Sequence, residues 1–223
     1  MYLTKTPSFI QSLFPNFTWK IPSSDRKIFL TFDDGPIPAV TEWVLELLAE
    51  YQAHGTFFCV GENVAKYPHL FHRIKTEGHA TGNHTYHHKN GWHTDNLDYF
   101  HDIRKCAQLV KSNLFRPPYG KLKPKQAQFL QRHYKIIMWD ILTGDFDTKL
   151  DPEVCFQNIV KKTKPGSILV FHDSVKAQPI LSTVLPRVLT HFSALGYQFD
   201  SLDESHHDLK VAHIDLKEMQ NIG

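Results

Sequence analysis

Short apolar runs alternate with amphipathic stretches along most of this chain, and that alternation limits the possible folds more than any single residue does. Residues 28–32, 55–60, 79–82, 113–116, 135–140, 167–171 and 197–202 read as strands, most of them continuous runs of the kind a sheet buries on both faces. Between them, Val40, Trp43, Val44, Leu47, Leu48 and Tyr51 recur at three- and four-residue steps and mark a helix. Residues 61–77 predict a helix interrupted at Pro68, and Leu97, Phe100, Ile103, Ala107 and Val110 mark another. Further helices are expected at 123–133, at 152–163, and along Val184, Leu185, Val188, Leu189, Phe192 and Leu195, with Pro186 in the first turn of the last. Strands alternating with helices predict an α/β fold, a distorted (β/α) barrel of about seven parallel strands.

Polar residues collect where these strands end. Asp33 and Asp34 close the first strand before a Gly35-Pro36 turn, and His84, Arg116, Asp145 and His172 each stand at or just past a later strand end. In an α/β barrel that rim is where sites assemble, so residues far apart in sequence can converge there. Two adjacent carboxylates beside a buried strand need a compensating positive charge: a metal, an arginine, or both. His84 and His88 are four residues apart, a spacing that puts both rings on one face of a helical turn, although His84 with His87 serves equally well on spacing alone. One carboxylate and two imidazoles leave a position open for water, which is the pattern of a catalytic rather than a structural metal site.

The ordered set Thr31-Phe-Asp-Asp-Gly-Pro36, His84-Thr-x-x-His88, Arg116-Pro-Pro-Tyr119, Asp145-Phe146 and His172-Asp173 resembles the five motifs of the polysaccharide deacetylase family, the NodB-homology or carbohydrate esterase family 4 group. The resemblance runs from about residue 27 to 202. It implies that Asp34, His84 and His88 are the metal ligands, which selects His88 over His87. It implies Asp33 as the general base acting on the attacking water and Arg116 as the residue that orients it. Tyr119 matches the position whose backbone N–H holds the oxyanion, His172 the general acid, and Asp145 the partner that keeps that imidazole protonated. Zinc is the implied ion, with cobalt or nickel able to substitute. The implied substrate is a carbohydrate carrying N-acetyl groups, of peptidoglycan or chitin-oligosaccharide type, from which the acetyl group is hydrolysed.

Two positions depart from the family pattern: Phe146 stands where the family has Trp, and Val170 where it has Leu, both lining the acetyl-methyl pocket. Trp92 and Trp139 are candidate sugar-stacking surfaces, with core packing the favoured role for Trp139. Hydrolysis of a small cyclic amide, imide or ureide on the same fold is the rival enzymatic reading, and a non-catalytic carbohydrate-binding protein the rival of another class. The second requires a lost base or acid, and both are present.

Residues 1–26 are expected as an extension packed on the domain through Phe9, Phe14, Phe17 and Trp19, residues 27–202 as the catalytic domain, and 203–223 as a polar tail. A formal net charge of +2 gives no reason to expect nucleic acid as a partner. Cys59, Cys106 and Cys155 form no Cys-x-x-Cys pair and read as reduced core thiols. With no membrane span and no signal-peptide h-region in the sequence, the expectation is a cytoplasmic protein.

Overall fold

The computed structural model describes residues 2–202, so the expected tail at 203–223 lies outside the described residues. The sheet is built outward from β1 (Lys27–Asp33). Its residues divide by the two-residue period of a strand. Ile28, Leu30 and Phe32 bury under the helices, in one cluster with Val44, Leu48, Val184 and Val188. Phe29, Thr31 and Asp33 alternate with them, and Phe29 packs with Phe58, Leu114, Ile137 and Ile168 in a separate cluster. Parallel partners flank β1: β2 (Thr56–Cys59) on one side and β7 (Ile168–His172) on the other. From β2 the sheet continues through β3 (Ala80–Asn83), β4 (Leu114–Phe115) and β5 (Lys135–Ile136), and from β7 to β6 (Ile141–Leu142). A last strand, β8 (Gln198–Asp200), pairs with the start of β1 at Lys27–Phe29, whereas β2 pairs with its end at Thr31–Asp33.

The parallel, curled α/β sheet is the expected one, with one strand more than the sequence predicts. The stretch 135–140 was expected as a single strand, but pairing stops at Ile136. From there the chain leaves one edge of the sheet and rejoins it at the opposite edge as β6. Residues from the amino-terminal segment span the gap between those two edges. The Thr18 N–H donates to the Ile136 carbonyl at 2.9 Å, and the Met138 N–H donates to the Thr18 carbonyl at 2.8 Å. Leu142 N–H reaches Thr4 O at 3.0 Å, Thr6 N–H reaches Asp140 O at 2.9 Å, and Ile21 N–H reaches Gly166 O at 2.9 Å. Strand-edge groups that would otherwise lie bare therefore find partners. Of the four expected aromatic anchors in this segment, Trp19 is buried and Phe17 packs against its cluster. Phe9 and Phe14 are 66% and 47% exposed, because α1 (Ser8–Leu13), which holds Phe9, buries none of its residues.

The covering helices are α2 (Val40–Glu50), α3 (Gly61–Lys66), α4 (Pro68–Thr76), α5 (Asn96–Ala107), α6 (Pro124–Leu130), α7 (Pro152–Lys162) and α8 (Gln178–Ala194). Pro68 divides α3 from α4 as expected. Pro186 does not start the last helix: α8 begins two turns earlier, with Pro179 in its first turn and Pro186 inside. An interior proline removes one helical hydrogen bond. The surrounding Val184, Leu185, Val188 and Leu189, all at 0% exposure, hold the helix against the sheet regardless. All three cysteines are free and buried. Among the described residues, no helix is long and apolar enough to cross a membrane.

Candidate active site

The two histidines come together without the expected helical turn. After β3 the chain forms a loop in which Thr85 and His88 adopt left-handed backbone, with φ of 62° and 54°. Such conformations persist in non-glycine residues only where neighbours over-determine them. Here the Asn83 Oδ1 accepts the Thr85 N–H at 2.9 Å. Asp102, buried on α5, accepts the Tyr86 and His87 N–H groups at 2.8 and 2.9 Å and lies 2.5 Å from His87 Nδ1. His87 is thereby tied into the loop's support, and His84 and His88 are left facing Asp34.

Asp34 is itself in left-handed backbone, with φ of 85°. Its Oδ1 lies 3.2 Å from His88 Nε2 and 3.9 Å from His84 Nε2. One donor atom from each of Asp34, His84 and His88 falls within 4.8 Å of the others. The chemistry of the set suits a divalent cation. His84 Nδ1 sits 2.7 Å from the Arg116 carbonyl, which can only accept, so Nδ1 carries the proton and Nε2 presents its lone pair toward Asp34. Burial, outweighing the charge of Asp33, pushes the His84 pKa down to about 4 and keeps the ring neutral. Burial alone would raise Asp34, but the hydrogen bond from His88 and the charges of His172 and His84 hold it well below the usual carboxylate range.

Asp33 ends β1 and points at Arg116, which directly follows β4. The Arg116 side chain is fully buried and uses its donors on four oxygens. These are Asp33 Oδ1 and Thr31 Oγ1, each 2.7 Å from Nη1, Met138 O 2.9 Å from Nη2, and Ile137 O 3.3 Å from Nε. Its guanidinium also lies 4.1 Å from the centre of the Phe58 ring. Arg116 is thus the compensating charge that the aspartate pair requires, and Asp33 Oδ2 remains 4.0 Å from His84 Nε2.

Across the β1–β7 pairing, in register with Asp33, stands His172. Its Nδ1 is 2.8 Å from Asp145 Oδ1, and its backbone N–H donates to Asp145 Oδ2 at 2.7 Å. The Thr143 hydroxyl, 3.0 Å from Asp145 Oδ1, supports the same carboxylate. Burial lowers the His172 pKa, but the charge and hydrogen bond of Asp145, followed by Asp34 and Asp33, overcome it and raise the value to about 9. At neutral pH this histidine holds a proton to give.

Asp173, which sequence reasoning left without a role, fixes the turn after the aspartate pair. It accepts the Gly35 N–H at 3.0 Å and the Thr41 hydroxyl at 2.6 Å. A Cβ on Gly35 would fall 1.9 Å from Asp173 Oδ2, so this close approach demands glycine. Asp102 and Thr143 were likewise missed. A polar residue on a helix or in a loop carries no sequence signal of which backbone it will reach.

These groups open on one cavity of about 750 Å³. Asp33, Asp34, His84, His88, Tyr119, Phe146, Val170 and His172 all border it; Trp92 does not. Trp92 is 53% exposed, pinned through Nε1 to the Leu122 carbonyl at 3.0 Å and capped by Lys121 Nζ 3.8 Å from its ring centre. Trp139, read as core, packs in the core and also lines the cavity. Tyr119 is 60% exposed, with φ of 60° and its ring centre 4.7 Å from that of His88. Tyr2, Leu3, Thr6, Pro7, Ile10 and Trp19 line it from the amino-terminal segment, which the sequence reading assigned no part in the site.

The model of the family described as polysaccharide deacetylase matches residues 20–134, slightly more than half the chain. The chain belongs to the polysaccharide deacetylase family. A peptidoglycan-N-acetylglucosamine deacetylase of Bacillus cereus is 32% identical over 196 residues, covering 84% of this chain and 91% of that protein. A chitooligosaccharide deacetylase of Azorhizobium caulinodans is 30% identical over 162 residues, covering 69% of this chain and 77% of its own length. Among solved structures, the Bc1960 peptidoglycan N-acetylglucosamine deacetylase, in complex with 4-naphthalen-1-yl-N-oxidanyl-benzamide, superposes with a TM-score of 0.80 at 27% identity. That match covers 88% of this chain and 95% of the other. As a member of the polysaccharide deacetylase family, this chain is a hydrolase of the polysaccharide N-deacetylase class.

Proposed function

We propose that this enzyme removes acetyl groups from N-acetylglucosamine units of a peptidoglycan- or chitin-type saccharide, with zinc at Asp34, His84 and His88. The observation that carries this reading is the meeting of three chemical parts at one cavity: the three-donor cluster, the Asp33–Arg116 pair and the His172–Asp145 pair. The names of the relatives supply the substrate class.

A bound zinc ion would supply Lewis acidity and make hydroxide available near neutral pH. Asp33 takes the proton of the attacking water, held in place by Arg116, which stays charged and does not compete for that proton. The main-chain N–H of Tyr119 faces the charge that develops on the carbonyl oxygen, so its side chain contributes less than its backbone. His172, charged through Asp145, gives its proton to the departing amine. Phe146 and Val170 close around the acetyl methyl and keep water from it.

The test is acetate release by zinc-loaded protein from chitin oligomers and peptidoglycan fragments, with Asp33→Asn as control. Acetate from one of these glycans, abolished in the control, is the expected result. Stoichiometric zinc binding without acetate from either would overturn the reading.

A further inference from the structure

The turn that carries Asp145 is held by a residue far away in the sequence. The Asp147 N–H donates to the Gly144 carbonyl at 2.9 Å, closing a turn over 144–147 with Asp145 and Phe146 at its centre. Two side chains of this turn reach His172. Asp145 Oδ1 lies 2.8 Å from its Nδ1, and the Phe146 ring centre lies 5.1 Å from that of the imidazole. The other residues of the turn, and Phe146 again, meet Tyr2. The Tyr2 ring centre is 5.1 Å from that of Phe146, and its hydroxyl donates to Asp147 Oδ2 at 3.3 Å. A Cβ on Gly144 would fall 2.6 Å from the Tyr2 oxygen and 3.0 Å from its Cε2, so the phenol lies against bare backbone there. Gly144 has a φ of 84°, and a residue without Cβ gives the turn little stiffness of its own. What packs on the turn therefore sets where Asp145 stands.

Tyr2 is itself anchored through the residues that follow it. The Thr4 carbonyl accepts the Leu142 N–H at 3.0 Å, and Lys5 pairs with Ile141 in an antiparallel bridge. Lys5 Nζ donates to the Lys162 carbonyl at 2.9 Å, and Lys162 Nζ donates in return to the Thr4 hydroxyl. The segment is thus docked on β6 and α7, the elements before and after the turn. Burial, then the charge of Asp147, pushes the Tyr2 phenol up to about 12, so it keeps its proton and stays a donor. At 3.3 Å that bond is long for a hydroxyl on a carboxylate, and the ring carries most of the contact.

Resting on the deacetylase reading above, we propose that Tyr2 is a positioning residue for the general acid: by seating the turn at 144–147 it keeps Asp145 on His172. The Thr143 hydroxyl holds the Asp145 carboxylate from the strand end, and Tyr2 holds the rest of the turn. Tyr2 acts through Asp145 rather than on the amide itself. A segment that reads as an outer extension is on this account part of the catalytic apparatus.

The experiment measures kcat and KM for acetate release by the zinc-loaded full chain, from chitin oligomers and peptidoglycan fragments. It compares wild type with Tyr2→Ala, Tyr2→Phe, Asp145→Asn and the double variant Tyr2→Ala/Asp145→Asn, with thermal melting confirming that each folds. Misplacing a catalytic group by 1 Å can cost about 10²-fold, so Tyr2→Ala, which loosens the turn without removing Asp145, should lower kcat about tenfold and leave KM within about twofold. Tyr2→Phe keeps the ring and should recover most of that loss. In the Asp145→Asn background Tyr2→Ala should cost nothing further, because the carboxylate it positions is gone. An unchanged kcat in Tyr2→Ala, or a raised KM alone, would overturn the proposal. Losses that multiply in the double variant would overturn it too, since Tyr2 would then act independently of Asp145. Tyr2→Phe as slow as Tyr2→Ala would overturn the role of the ring. Each of these outcomes leaves the deacetylase reading standing, whereas no acetate from the wild type would remove that reading and this one with it.

Discussion

Two ion pairs flank the cavity with nearly equal lengths, the buried Arg116–Asp33 at 2.7 Å and the partly buried His172–Asp145 at 2.8 Å. They are built in opposite senses. In the first the cation is permanent and, in the proposed mechanism, the carboxylate would take a proton; in the second the carboxylate is the fixture and the cation would give one. Arg116 keeps its protons across the pH range of a folded protein and spends its donors on four oxygens, so it can orient a base without competing for its proton. His172 makes two hydrogen bonds to Asp145, whose carboxylate is itself held by the Thr143 hydroxyl, and in the proposed mechanism its proton is the one that leaves. On the proposed mechanism one carboxylate thus stays free to accept a proton beside a permanent cation, and one imidazole stays charged beside a carboxylate that favours its protonated form.

The sharpest way to break this comparison is to remove the working member of each pair. Asp33→Asn and His172→Ala should each lower kcat by about 10²–10⁴, read as acetate release at saturating substrate. Removing the fixture separates the pairs. Arg116→Met leaves Asp33 buried without its cation, a change expected to destabilise by about 3–5 kcal/mol and lower Tm on the order of 10 °C. Asp145→Asn should melt closer to wild type and act on the proton instead, moving the alkaline limb of the kcat profile to lower pH. An unshifted limb would remove Asp145 from that role.

The metal-free protein offers a subtler test through pH. His172 is raised above its ordinary value to about 9, so its pairing stabilises fully below about pH 6.5 and fades as pH rises through 9. His84 is lowered to about 4, so the unfolded chain takes up the proton first, and stability fades as pH falls from about 6.5 toward 4. Melting of chelator-treated protein should therefore be highest near pH 6.5. His172→Ala should reduce the slope on the alkaline side of that curve and leave the part due to Asp173, whose carboxyl burial pushes up to about 8. The smallest effect is expected at Trp92, which lies outside the cavity lining. If sugars stack there, Trp92→Ala raises KM for long oligosaccharides about fivefold and leaves kcat alone, since one stacking contact is worth about 1 kcal/mol.

The rim of strand ends was legible in the sequence because most of the strands there are continuous apolar runs that stop at a polar residue, as Phe32 gives way to Asp33 and Phe171 to His172. What escaped was whatever depends on a single backbone turn or on a partner far along the chain. β6 is two residues long, too short for any periodicity, and it went unread because the strand expected at 135–140 stops one residue before it. The loop bearing His88 looked like a helical turn because three- and four-residue spacing says nothing of the left-handed residues Thr85 and His88. The amino-terminal segment was read by its aromatic residues, whereas its place is set by main-chain bonds from Thr4, Thr6, Thr18 and Ile21, which any sequence could make.

The contact between Gly35 and Asp173 has a consequence for how the catalytic distance is set. Asp33 and His172 sit at paired positions on neighbouring strands, and each is followed closely by one member of that contact. The spacing between Asp33 and His172, the base and acid of the proposed mechanism, is therefore gauged locally, by one carboxylate seated against one bare backbone. Substituting Gly35 would act like shimming a bearing: the first motif would be pushed off the last, and both working groups would lose their mark together.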